Sequence, residues 1–237
     1  MSMFALKPWL DLCRVSNLPT VWTNVLAAGL LATGQFQPGP YLLLAAALSC
    51  FYLAGMSLND LCDLEHDRRH RPGRPLPSGR VSVGGARVLT LALFAAGLGL
   101  LALAPDPLGL AAGLPLILAI VAYDLRHKGN PLSVLIMAAC RLLVFVVVAL
   151  ALTGGVPPLV WLAGALQFAW VVLVSLTARH ENRRSTPWPF PVIPAMLAAI
   201  SLVDGLVMAS LVALPWLAAG AAGAVLTWAG QRYVRGD

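Results

Sequence analysis

A chain of 237 residues with 59% hydrophobic and only 11% charged side chains is too apolar for an ordinary water-soluble domain. Its formal charge of +6 does not point to nucleic acid, because the Arg and Lys residues gather between apolar runs, where they retain loops on the inner membrane face and meet anionic lipid. These features predict an integral membrane protein with membrane lipid as a partner and no nucleic acid.

In chain order, the first sixteen residues carry Lys7, Asp11 and Arg14 without a long apolar core and cleavage site, so no secretory signal peptide is expected. Apolar windows then recur at about 17–35, 40–60, 83–104, 107–123, 131–153, 158–178, 191–210 and 214–231, each near the ~20 residues a helix needs to cross about 30 Å of hydrocarbon. The Ala, Leu and Val blocks show no period of two, which excludes a β-barrel. The expectation is an all-α polytopic transmembrane bundle of about eight spans, forming a single domain over 1–237. A cytoplasmic loop is expected at 61–82, where Arg-Pro-Gly-Arg-Pro-Leu-Pro-Ser-Gly has too much Pro and Gly for a continuous helix.

The charges orient these spans. Lys7 and Arg14 precede the first, Arg68 to Arg87 lie between the second and third, and Arg126 and Lys128 lie between the fourth and fifth. Arg179, Arg183 and Arg184 follow the sixth, and Arg232 and Arg235 close the chain. The remaining connections have no Lys or Arg, which places both termini in the cytoplasm and the protein in the inner (cytoplasmic) membrane. All three large polar loops then share one face, as suits a substrate taken from that side.

The second window ends in Asn59-Asp60-Leu61-Cys62-Asp63-Leu64-Glu65-His66-Asp67. At 100° per residue, Asn59, Asp60, Asp63 and Asp67 occupy roughly a third of a helix circumference. Such carboxylates suit Mg2+ that is also held by substrate phosphates, and Arg68, Arg69, Arg71, Arg74 and Arg80 follow to hold the same anion. The bland alternative is a surface salt-bridge network, in which each exposed pair contributes little. Glu65 points to the opposite helix face and is expected to be solvated.

The pattern Asn59-x-x-x-Asp63-x-x-x-Asp67 with the extra Asp60, followed by Arg74-Pro75-Leu76-Pro77-Ser78-Gly79-Arg80-Val81-Ser82, resembles the UbiA superfamily of membrane prenyltransferases and its RP-x-PSG-x-x-S loop. Tyr123 and Lys128 are similar to a further element of that family, though five positions apart where four is usual. Two features depart from the family pattern. A second Asp-rich motif, expected after the sixth span to complete a two-metal site, reads Thr177-Ala178-Arg179-His180-Glu181-Asn182. The family also commonly has nine spans. The altered motif, with Asn130-Pro131 and Arg141, is similar to the EboC-like branch.

The resemblance implies transfer of a prenyl group from a prenyl diphosphate to an aromatic or lipid-like acceptor at the cytoplasmic face, with Mg2+ as cofactor. Asp60, Asp63 and Asp67 would hold the metal and serve catalysis, with Glu181 as the remaining second-site ligand. Asn59, Arg68, Arg74, Tyr123, Lys128, Arg141 and Arg179 would bind substrate, Arg179 standing in for the missing cation. Tyr123 has an alternative role as an interfacial anchor. Asp124 is read as structural, paired with Arg126 or Lys128.

Arg141 lies at mid-depth of a span and demands a partner. Asp204 is the best candidate for a buried ion pair, and a place in the substrate cavity is the alternative. Cys13, Cys50, Cys62 and Cys140 form no CxxC pair and are assigned no chemistry, and the four histidines are read as solvated. A competing function class is a prenyl-lipid binder or transporter that kept the scaffold and lost catalysis. A CDP-alcohol phosphotransferase is excluded because Asp204-Gly205 lacks the continuation of that motif.

Overall fold

The computed structural model describes residues 3–126, 130, 132–181, 184, 188–234 and 236. Lys128, Pro131, Asn182, Arg183 and Arg235, named above, lie outside the described residues. The described elements are helical: α1 (Met3–Leu12), α2 (Leu18–Thr33), α3 (Pro38–His70), α4 (Val83–Leu101), α5 (Leu108–Arg126), α6 (Ser133–Thr153), α7 (Pro158–Glu181), α8 (Val192–Leu211) and α9 (Leu217–Gly230), with short 3-10 turns before α2 and α9.

Six of these, α3 to α8, are long and apolar enough to cross a membrane. The eight expected spans are therefore not all matched in length. Over the first window α2 has 16 residues, about 24 Å, because the chain breaks helix at Arg14–Asn17. Over the last window α9 has 14 residues.

α2 is the hub of the bundle, touching α3, α6, α7, α8 and α9, which leaves most of its side chains buried. The main core gathers Leu44, Leu48 and Phe51 of α3, Phe145 and Val148 of α6, and Val21 and Val25 of α2. Around this hub α3 pairs with α4, α6 lies against both α5 and α7, and α8 lies against α9. The outer faces of α4 and α5 expose Leu91, Leu114 and Leu118, which is the stable arrangement where lipid is the solvent.

α3 contains 33 residues, about 50 Å of helix, so it outruns the hydrocarbon by roughly 20 Å. The first ten residues of the expected 61–82 loop continue this helix. Nothing between Leu61 and His70 is Pro or Gly, and the helix stops at Arg71, which the following Pro72 forces out of helical geometry (φ −140°). The remaining segment, 71–82, folds against a small separate core in which Leu76 and Val81 pack with Leu12 of α1 and Ala86 of α4. Gly79 supplies the left-handed turn (φ 74°), Ser78 Oγ donates to Arg74 O at 2.7 Å, and Arg80 Nη2 donates to Gly73 O.

Candidate active site

The polar face expected at the end of α3 forms, and two arginines from distant parts of the chain close over it. Arg14 stands in the left-handed region (φ 45°, ψ 48°) between α1 and α2, and that turn sends its side chain back to α3. Its Nη2 donates to Asp60 Oδ1 at 2.8 Å and its Nη1 approaches Met56 Sδ at 3.1 Å. Arg74 Nη1 donates to Asp67 Oδ2 at 2.7 Å and lies 3.5 Å from Asp60 Oδ1. Asp60 and Asp67 are 4% and 2% exposed. They are thus desolvated carboxylates held by guanidiniums and differ from surface pairs in kind.

The surface network exists as well, on the other side of the helix. Arg68 and Arg69 pair with Glu65, with all three side chains more than half exposed. Arg68, expected to bind substrate, is one residue past Asp67 and therefore turned about 100° away. Arg74, also expected to bind substrate, is on the acidic side and pairs with Asp67.

Beneath the acidic face lies a cavity of about 510 Å³, within the range that holds small organic ligands. Its inner mouth is where the ends of α3, α5, α6 and α7 converge, lined by Asn59, Tyr123, Asp124, Ser133 and Arg179 together with Arg14. Deeper, the walls are Leu48, Phe51, Leu116, Val144 and Val171. Of the α3 polar set Asn59 alone is in this lining, with Asp60 and Asp67 engaged by their arginines at the rim.

Asp124 accepts a hydrogen bond from Asn59 Nδ2 at 3.1 Å and is buried; Lys128, one of the two partners expected for it, lies outside the described residues. Asp124 joins α5 to α3 at the cavity mouth. Arg179 Nη2 donates to Ser133 Oγ at 2.8 Å and to Asn130 O at 3.1 Å, fixing α7 to the start of α6. Glu181, two residues on, is rotated about 200° around α7 from Arg179 and, like Asp60, Asp63 and Asp67, is outside the cavity lining.

Arg141 does line the cavity, but its expected direct pairing with Asp204 is replaced by a relay. Arg141 Nη1 donates to Asn24 Oδ1 at 2.7 Å, and Asn24 Nδ2 donates to Asp204 Oδ2 at 2.7 Å. Three residues that the sequence reading passed over, Asn17, Thr20 and Asn24, recur at helical spacing through the first apolar window. Polar groups on one stripe of a membrane helix were the signal that would have found them.

Whether a cation fits can be judged from the donors. Asp60, Asp63, Asp67, Asn59 and Asp124 are hard oxygen donors; Asn59 and Asp124 line the cavity mouth, and the three aspartates follow Asn59 along the same stretch of α3. Among the described residues, no three His, Cys, Asp or Glu side chains already form a metal cage. Mg2+ is commonly bound by one or two carboxylates completed by phosphate and water rather than by an all-protein cage, so the donor set suits that ion when it arrives with a diphosphate.

Comparisons with known proteins agree with this architecture. The chain is 33% identical over 127 residues to the digeranylgeranylglyceryl phosphate synthase of Methanoculleus marisnigri, covering 54% of this chain and 45% of that protein. It is 39% identical over 103 residues to the enzyme of the same name from Ignicoccus hospitalis, covering 44% of this chain and 33% of that one. These matches span less than half the length of the curated relatives. Among solved structures, a UbiA homolog from Archaeoglobus fulgidus bound to DMAPP and Mg2+ superposes with a TM-score of 0.64 at 16% identity, covering 94% of this chain and 98% of that one. The apo UbiA homolog from Aeropyrum pernix gives 0.59 at 22% identity, covering 93% and 94%. At such identities these structures establish the fold, and the sequence model of the UbiA prenyltransferase family matches residues 19–237. The chain belongs to the UbiA prenyltransferase family.

Proposed function

We propose that this protein transfers a prenyl group from a prenyl diphosphate to an aromatic or lipid-like acceptor at the cytoplasmic face of the membrane. The observation that carries the reading is the apolar cavity directly beneath buried carboxylates and arginines. A diphosphate headgroup belongs at the rim and its hydrocarbon tail among Leu48, Phe51, Val144 and Val171. The Archaeoglobus fulgidus homologs bound DMAPP or GPP together with Mg2+, and the product named in the archaeal relatives contains prenyl groups and a glyceryl phosphate.

In the reaction, the bond between the allylic carbon and the diphosphate oxygen breaks, its electron pair leaving on oxygen. The acceptor's nucleophile then bonds to that carbon and loses its proton. Bound Mg2+ supplies positive charge to the departing diphosphate, and Asp60, Asp63 and Asp67 would hold it. Arg14, Arg74 and Arg179 are placed to donate to phosphate oxygens. Asn59 and Asp124 fix α3 against α5 at the mouth. The apolar walls keep water from the allylic carbon while it is electron-poor.

A second reading, a prenyl-lipid binder or transporter, is favoured by two facts: Asp60 and Asp67 are already engaged by arginines, and the segment 177–182 carries a single carboxylate, Glu181. Purified protein incubated with Mg2+, labelled DMAPP or GPP and candidate acceptors separates the two. Mg2+-dependent diphosphate release that disappears in Asp63→Ala is expected, whereas tight binding without turnover would establish the second reading.

A further inference from the structure

The deep part of the cavity holds a charge to which prenyl transfer, as described, gives no task. Arg141 lies near the middle of the 21-residue α6 and lines the cavity. Its Nη1 donates to Asn24 Oδ1 at 2.7 Å, its Nη2 donates to Thr20 Oγ1 at 2.9 Å, and its guanidinium carbon lies 6.0 Å from the centre of the Tyr52 ring. Behind Asn24, the Asp204 carboxyl accepts from Asn24 Nδ2 and from Gln167 Nε2, both at 2.7 Å. Thr20, Asn24, Gln167 and Asp204 are all buried.

This arrangement is not the ion pair that burial alone would favour. Asn24 separates Arg141 from Asp204, so the carboxylate balances the guanidinium without occupying its donors. A guanidinium carries five N–H groups, and Asn24 and Thr20 take one each. The remaining three belong to a side chain held in place from behind and bordering the cavity. Tyr52 precedes Asn59 by seven residues on α3, so Arg141 lies about 10 Å deeper than the diphosphate end. Hydrocarbon packed directly against those N–H groups would strip their water and return nothing. A carboxylate or phosphate would satisfy two of them at once.

We infer that Arg141 forms an anion subsite at mid-depth of the cavity, taking the carboxylate or phosphate of an amphipathic acceptor. The inference rests on the proposed use of this cavity for acceptor and donor. Its substrate class is an acceptor whose anionic group is separated from its nucleophile, so that the nucleophile reaches the mouth while Arg141 holds the charge below.

The test uses full-length protein in nonionic detergent, titrated calorimetrically with hexyl phosphate, hexanoate and hexanol. The anions should bind roughly tenfold or more tightly than hexanol, and the two anionic arms rank the headgroups. The Arg141→Gln/Asp204→Asn double variant keeps the network neutral and hydrogen-bonded, and, with Mg2+ and pyrophosphate present to occupy the mouth arginines in every titration, should bind all three probes within about twofold of one another. As a measurement that needs no variant, hexyl phosphate but not hexanol should protect Arg141 from phenylglyoxal, read by mass spectrometry of the Arg141 peptide. No anion preference in the native protein, preference retained in the folded double variant, or no protection of Arg141 would each overturn the subsite. The same titration in Asp63→Ala separates the two proposals: anion preference with diphosphate release lost supports both, and unimpaired release there removes the functional reading while leaving the subsite standing.

Discussion

Asp60 lies between two guanidiniums, one 46 positions earlier in the chain and one 14 later. Each arginine therefore carries the desolvation of a carboxylate that has little water to fall back on. Removing Arg74 strands Asp67, and breaking a buried pair from one side costs about 3–5 kcal/mol. Arg74→Ala should accordingly lower the melting temperature by several degrees, and Mg2+ should raise it more in the variant than in the parent, because a cation replaces the lost guanidinium. Equal Mg2+ shifts in both would count against a metal at this face. Asp124→Ala, by deleting the acceptor for Asn59, should lower kcat/KM for prenyl diphosphate by about tenfold, with Glu65→Gln as a control expected to change stability by less than about 0.5 kcal/mol. The acidic stripe was legible because 100° per residue fixes it within one helix. Arg14 and Asp124 were not, since nothing in local spacing shows which residues 46 or 65 positions away will meet it.

Between elements, α8 and α9 approach closely where Gly205 and Gly220 meet. A Cβ on Gly205 would stand 2.8 Å from Gly220 Cα and 3.3 Å from Leu217 O, both backbone atoms that cannot turn aside. In lipid, where helices gain little from hydrophobic exclusion, such contact is a main source of association. Gly205→Val should therefore cost about 1–3 kcal/mol, read as a lower melting temperature in detergent. Gly99→Val, whose Cβ would meet nothing within 4 Å, should be nearly silent. Equal loss in both would show that helix propensity, not packing, governs the effect. The apolar windows located α3 to α8 because length and hydropathy are local. They overextended α2, where the left-handed Arg14 and a 3-10 turn shorten the helix, and they ended α3 too early, because a charged helical extension resembles a loop when only apolarity is read.

At the scale of the whole molecule, the ends of α3, α5 and α7 and the start of α6 bring Asp60, Asp124, Arg179 and Ser133 to the same end of the bundle, and the Arg74–Ser82 segment packs beside them. That end also carries the Arg and Lys excess of the sequence, and positive loops are retained on the cytoplasmic side. On the proposed function, the same asymmetry that is expected to orient the chain also decides which compartment supplies the substrate. Ser78, in the basic loop, and Gln35, in the charge-free connection after α2, are both exposed, so each can report its side. In a background with the four free cysteines replaced, Ser78→Cys should react with a membrane-impermeant maleimide in inverted vesicles and not in intact cells, and Gln35→Cys should do the reverse. Cys13 would contribute little background even if kept, because burial pushes its thiol up to about 11 and leaves almost no thiolate at neutral pH. Labelling of Ser78→Cys from outside would invert the expected topology, and with it the proposal that a cytoplasmic pool of prenyl diphosphate feeds the cavity mouth.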